Sequence, residues 1–104
     1  MYRVTDLDGT PSSTQDFDRY YDEKHIPLAQ RMAGLTGWTV CRFDPAPGGT
    51  PPQYHCLAEL YTDIRADLEL VLESQAGREA TADLDNFASG GAIFLFGEER
   101  EVPV

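Results

Sequence analysis

Residues 44–53, Asp44-Pro45-Ala46-Pro47-Gly48-Gly49-Thr50-Pro51-Pro52-Gln53, hold four of the chain's seven prolines. With so many missing amide donors and fixed φ angles, this segment continues neither a helix nor an inner strand, so it is a loop. Trp38-Thr39-Val40-Cys41-Arg42-Phe43 before it and Tyr54-His55-Cys56-Leu57-Ala58-Glu59-Leu60-Tyr61 after it both read as strands, and the two should pair as an antiparallel hairpin. A symmetric loop sets Cys41 opposite Cys56 and Arg42 opposite His55. Alternation then puts Thr39, Cys41, Phe43, Tyr54, Cys56, Ala58 and Leu60 on one face. Trp38, Val40, Arg42, His55, Leu57, Glu59 and Tyr61 take the other, which is still half apolar. A small sheet with helices on one side ordinarily leaves its other side polar, so something is expected to cover this one.

The segment before the hairpin carries a helix. Ser13-Thr14-Gln15-Asp16 fits a capping box, and Asp16, Asp18, Asp22 and Glu23 suit the positive end of a helix dipole. Phe17, Tyr20, Tyr21, Leu28 and Met32 recur at helical spacing, with His25 on the same stripe. Pro27 removes a backbone donor and disfavours helix at Ile26, so a kink or break is expected directly after His25. Beyond the hairpin, Ile64 to Leu72 reads as a helix with Ile64, Leu68, Val71 and Leu72 inward. Ser74 to Ala80 opens a shorter helix that runs through Asn86. Ala92-Ile93-Phe94-Leu95-Phe96 is an apolar run of the kind a strand buried on both faces shows, and Tyr2 to Leu7 forms a first strand. The resulting order, β-α-β-β-α-(α)-β, is a ferredoxin-like α+β arrangement in one domain spanning residues 1–104.

Composition narrows the function classes. Eighteen acidic residues against eight basic ones give a net charge of −10, which argues against nucleic acid and against an anionic membrane as partner. No apolar run approaches the roughly 18 residues of a membrane span, and the first residues lack the apolar core of a signal peptide. A cytoplasmic protein is expected. Cys41 and Cys56 do not form a C-x-x-C pair and are read as reduced thiols; with two histidines at unrelated spacing they give no metal site. Asp6-Leu7-Asp8-Gly9 lacks the remaining ligands of a calcium loop. The glycine patterns of nucleotide-binding loops are missing too, so no cofactor is expected.

Phe17-x-x-Tyr20-Tyr21-x-x-x-His25-x-Pro27-Leu28-Ala29, followed by Gly34-Leu35, resembles the signature of the EthD family. Tyr54-His55, Ser74-x-x-Gly77 and Ala82-Asp83-Leu84-x-Asn86-Phe87 resemble its second half, so the likeness runs from about Thr10 to Gly97. Local departures are Asp6 and Asp8, where relatives are more apolar, Ala33 in place of a frequent proline, and the long Pro-rich loop. The resemblance implies a dimeric α/β barrel, in which two protomers pack sheet against sheet, and a cleft between the sheet and helices of each. It also implies a wider kinship with cofactor-free quinol monooxygenases, muconolactone isomerases and polyketide cyclases. Such kinship speaks to fold more than to reaction.

Against that background, His25 is the first candidate for chemistry. An imidazole on an apolar, tyrosine-bearing stripe can serve as general base for a phenolic or enolisable substrate; alternatively it bonds a backbone carbonyl freed by Pro27. Tyr21, one turn earlier, is the candidate hydrogen-bond donor. His55 is a second candidate base, with a cross-strand contact beside Arg42 or a place in the dimer seam as its structural reading. Tyr20, Tyr54, Trp38 and Phe94 are candidate walls of the substrate cleft, though packing is the commoner role of such residues. Asp83 and Asn86 are candidate polar cleft residues, with a solvated helix face and cap as the commoner reading of Asp-Leu-Asp-Asn. The expected activity is acid/base chemistry on a small, mostly apolar, aromatic or polyketide-like molecule, as cyclase/isomerase or quinol monooxygenase. The alternative is a non-catalytic binding protein serving a partner oxygenase. Either reading expects a homodimer with an apolar small-molecule ligand.

Overall fold

Four antiparallel strands, β1 (Tyr2–Gly9), β2 (Gly37–Arg42), β3 (Tyr54–Thr62) and β4 (Ala92–Glu98), lie in the spatial order β2-β3-β1-β4 in the computed structural model, which describes residues 1–104. Between β1 and β2 the chain forms α1 (Thr14–Tyr20), a π-helical turn (Tyr21–His25) and α2 (Ile26–Ala29). Between β3 and β4 come α3 (Arg65–Glu73), α4 (Gln75–Asp83) and a 3-10 turn (Leu84–Asn86). This is the ferredoxin-like α+β fold, with the element order expected from the sequence.

Each helix starts where its side chains allow. Ser13 Oγ accepts from the Asp16 amide at 3.2 Å and caps α1. Ser74 does the same for α4 through the Gly77 amide at 3.1 Å. A Cβ on Gly77 would run into the Val71 and Leu72 carbonyls at the end of α3, so the tight α3–α4 joint needs glycine there. Ile64, expected inward, instead sits in extended conformation ahead of α3 and is exposed.

Pro27 does not break the first helix. Ile26 stays helical (φ −57°, ψ −50°), and its amide donates to the Tyr21 carbonyl five residues back. Proline supplies no amide for the Glu23 carbonyl, and its ring would strike that carbonyl in a regular α-helix; one wide turn relieves both problems. The turn also sets the buried series Phe17, Tyr21, His25 and Ala29 along one line facing the sheet.

The hairpin register differs from the symmetric expectation by one residue. Arg42 pairs with Cys56 and Cys41 with Leu57, while β1 pairs Asp8 with Cys56 and Gly9 with Tyr54, leaving His55 as a bulge. A one-residue slip inverts β2. Trp38, Val40 and Arg42 therefore join Cys56, Ala58 and Leu60 on the helix-covered face, and Thr39 and Cys41 turn to the open one. Cys41 is exposed and Cys56 buried, both as free thiols.

Two core clusters hold the helices to the sheet. Phe17, Tyr21, Cys56, Leu84 and Phe87 form the larger, and Tyr2, Val4 and Leu68 the smaller. Burying a side chain the size of Phe17 contributes about 1.5–3 kcal/mol. The expectation of a doubly buried β4 is not met within one chain. β4 is an edge strand, and Ile93, Phe94, Leu95 and Phe96 are 39–54% exposed. On the open face, the row Cys41, Leu57, Leu7 and Ile93 runs apolar across all four strands.

Candidate active site

Between the two core clusters, helices and sheet enclose a cavity of about 470 Å³, its open mouth included. Its wall is apolar except at Asp6, His25 and Thr81. Tyr21 and His25 reach it from the π-helical turn, Asp6 from the middle of β1, Trp38 from β2 and Phe94 from β4.

His25 does not bond a backbone carbonyl. Its Nδ1 lies 2.9 Å from Asp83 Oδ2, and the two side chains are only 9% and 8% exposed. A carboxylate only accepts, so Nδ1 carries a proton, and in the neutral form of the ring the lone pair is on Nε2. Asp83 in turn accepts from the Tyr20 hydroxyl at 2.7 Å and from Asn86 Nδ2 at 2.9 Å. Burial works against its charge, but hydrogen bonds from Tyr20, Asn86 and His25 outweigh burial and hold Asp83 below its ordinary value. At neutral pH a fixed anion thus stands behind the imidazole, and Nε2 is left without a protein partner on a cavity residue.

Tyr21 is almost fully buried, and its ring lies 5.2 Å from that of His25. Burial first, then the nearby Cys56, Asp6 and Asp8, push its phenol far above the ordinary value, so it stays a donor at any physiological pH. Two further carboxyls lie beside it on β1. Asp6 is raised by burial, partly offset by the Asp8 side chain and by His25. Burial and the neighbouring Asp6 push Asp8 up to about 8. Asp6 Oδ1 and both Asp8 oxygens have no hydrogen-bond partner.

The structure gathers His25, Tyr21, Trp38 and Phe94 around one cavity and leaves the other candidates outside its lining. Tyr20 stands behind Asp83. Tyr54 lines a shallow groove beside the Pro-rich loop. His55 bonds Asp18 at 2.8 Å and meets the Phe17 ring edge-on at 5.0 Å. Arg42, 3.2 Å from Asp18 and 3.1 Å from Asp22, closes that cluster. Asp83 is no solvated helix end but a buried acceptor, because the 3-10 turn folds the helix terminus inward over His25. Asp6 was readable in principle: in Tyr2, Val4, Asp6, Asp8 the period of two places both carboxyls on the core face. No three His, Cys, Asp or Glu side chains gather as a metal site, and no helix is long and apolar enough to cross a membrane.

Comparison with known proteins supplies the lineage. The EthD domain matches residues 10–91. An uncharacterised 11.0 kDa protein from the thcB-thcC intergenic region of Rhodococcus erythropolis is 37% identical over 102 residues, 98% of each chain. Among solved structures, an EthD family protein from Bacillus halodurans superposes with a TM-score of 0.89 at 27% identity, covering 96% of this chain and 99% of the other. At the level of fold alone, two more proteins are similar. SnoaB, a cofactor-independent oxygenase from Streptomyces nogalater, has a TM-score of 0.66 at 10% identity, over 97% of this chain and 93% of that one. A dimeric ferredoxin-like protein of unknown function from Thermobifida fusca has a TM-score of 0.68 at 12% identity, over 92% and 88%. By sequence and by architecture, then, this chain belongs to the EthD family.

Proposed function

We propose that this protein is a homodimeric enzyme that uses acid/base chemistry, without a cofactor, on a small, mostly apolar molecule of aromatic or polyketide-like type. The observation that carries this reading is the buried His25–Asp83 pair on the wall of an apolar cavity. His25 Nε2 takes a proton from a phenolic O–H or an activated C–H of the bound molecule. The imidazolium that forms is stabilised by Asp83, whose charge Tyr20 and Asn86 hold in place. Tyr21 donates to the oxygen on which negative charge develops. Cyclisation or isomerisation and quinol oxygenation by molecular oxygen both begin with that proton removal, and the fold-level likeness to a cofactor-independent oxygenase supports including the second.

Dimerisation is supported by the open sheet face. A contiguous apolar row on a soluble surface marks an association site, and a second copy packed sheet to sheet would cover Cys41, Leu57, Leu7 and Ile93. It would also account for a β4 that reads as doubly buried. The dimeric ferredoxin-like protein from Thermobifida fusca provides a precedent for the architecture.

The test uses the full chain with an anthrone, following substrate loss and oxygen consumption together. His25→Ala is expected to lower turnover by about 10²–10⁴-fold while affinity stays within a few-fold. Substrate loss without oxygen uptake assigns cyclisation or isomerisation. Unchanged turnover in His25→Ala refutes the catalytic assignment, and binding without turnover in the wild type establishes a carrier instead.

A further inference from the structure

Two polar atoms around the cavity are buried with no protein partner: Asp6 Oδ1 on β1 and Trp38 Nε1 on β2. Asp6 is only 8% exposed. Leaving a buried acceptor or donor unpaired is costly, so two of opposite character at one cavity are a feature to be explained. They also stand apart. The register runs Val40–Ala58–Asp6 in one row and Trp38–Leu60–Val4 in the next, so β3 lies between the two groups, about 10 Å across the sheet at ordinary strand spacing. The wall between them is apolar, being Ala58 and Leu60.

From this arrangement we infer that Asp6 and Trp38 are the polar anchors of the bound molecule, which is an apolar ring compound with a hydroxyl at one end and a carbonyl at the other. The hydroxyl donates to Asp6 Oδ1, and the carbonyl accepts from Trp38 Nε1–H. A ligand lying along Ala58 and Leu60 satisfies both atoms at once. Asp8 takes part as a positioning residue. Two carboxyls side by side cannot both ionise easily; burial and the neighbouring Asp6 push Asp8 up to about 8, and Asp6 Oδ1 is left without a protein partner. The other titratable groups facing the pair are His25 and Tyr21 from the helix, Cys56 on β3 and the more distant Arg42.

This inference rests on the cavity being a ligand site, as proposed above, but it concerns recognition and is tested without turnover. The probes are 6-hydroxy-1-tetralone, which carries both groups at opposite ends, and 1-tetralone, which lacks the hydroxyl. Binding is read by calorimetry and by fluorescence of Trp38, the single tryptophan. The wild type is expected to bind the hydroxylated probe about tenfold more tightly, as a hydrogen bond to a buried, otherwise unpaired acceptor allows. Asp6→Ala and Asp6→Asn should bring that ratio below threefold while leaving 1-tetralone affinity within twofold. Equal affinity of the wild type for the two probes, no binding of either, or a preference that survives in a folded Asp6 variant would overturn the inference. A failed ratio alongside a His25-dependent turnover would leave the catalytic reading standing.

Discussion

The chain has two histidines, each bonded to an aspartate, and the two pairs have opposite surroundings. His25 and Asp83 are sealed together, and the aspartate's remaining bonding capacity is taken by Tyr20 and Asn86, so the histidine keeps one nitrogen free. His55 spends Nε2 on Asp18, which is 41% exposed and shared with Arg42. The first pair orients a base at a cavity; the second ties α1 to the bulge in β3. A histidine beside an aspartate is thus not by itself a catalytic unit. What distinguishes a site is which nitrogen is used up and what space the other one meets.

The largest effect should come from altering the charge behind His25. Asp83→Asn keeps the shape but exchanges an anion for an amide that can both donate and accept, so the ring's tautomer is no longer fixed. Turnover on an anthrone is expected to fall by about 10²–10⁴-fold, with ligand affinity within a few-fold. Measured stability should fall by about 1–3 kcal/mol as Tyr20 and His25 lose a charged acceptor. If turnover is unaffected, the pair has the same structural role as His55–Asp18.

Next in size is the pH dependence on the cavity side. The folded value of Asp8 is raised to about 8, so its contribution to stability is complete below the unfolded value near 3.9 and is lost as pH rises through the folded value. Thermal midpoints should decline between pH 4 and pH 8, at most by about 1.4 kcal/mol of stability per pH unit. In Asp8→Asn that decline should flatten. Asp83 has the opposite sign: its folded value is depressed, so its contribution is present above the unfolded value and is lost on acidification below about pH 4. Asp83→Asn should therefore flatten the acid limb alone. Denaturation followed across pH for both variants separates the two.

The smallest effect is expected at the other histidine. His55→Ala removes a hydrogen bond to a half-exposed partner and an edge-on contact with Phe17, for about 1 kcal/mol of stability and no change in turnover. A hundredfold loss of turnover there would erase the distinction between the two pairs.

The contrast also shows which parts of the molecule could be read in the sequence. The element order was legible because the loop of prolines, the cap at Ser13 and the apolar run of β4 are local signals. The Phe17-Tyr21-His25 line was legible from helical spacing, although the π turn that maintains it was not, since Pro27 read as a stop. Hairpin register could not be derived, because the bulge at His55 depends on β1 as well as on β2. Asp83 was misread because its partner lies 58 residues away, and Asp-Leu-Asp-Asn has the look of a solvated end until His25 is folded against it. Asp6 and Asp8 carried a usable signal, their alternation with Val4, which the charged residues themselves obscured.

The wide turn at Tyr21–His25 makes the chain unequally tolerant of length changes. One residue removed from that turn would take away the extra residue that keeps Pro27 clear of the carbonyl below it, and would rotate the two halves of the helix against each other by about 100°. Either Phe17 or Ala29 would then swing off the sheet. A residue lost between Pro45 and Pro52 would cost only a small change in loop-closure entropy. Among descendants of this gene, insertions and deletions should therefore accumulate in the proline segment and be purged from the helix.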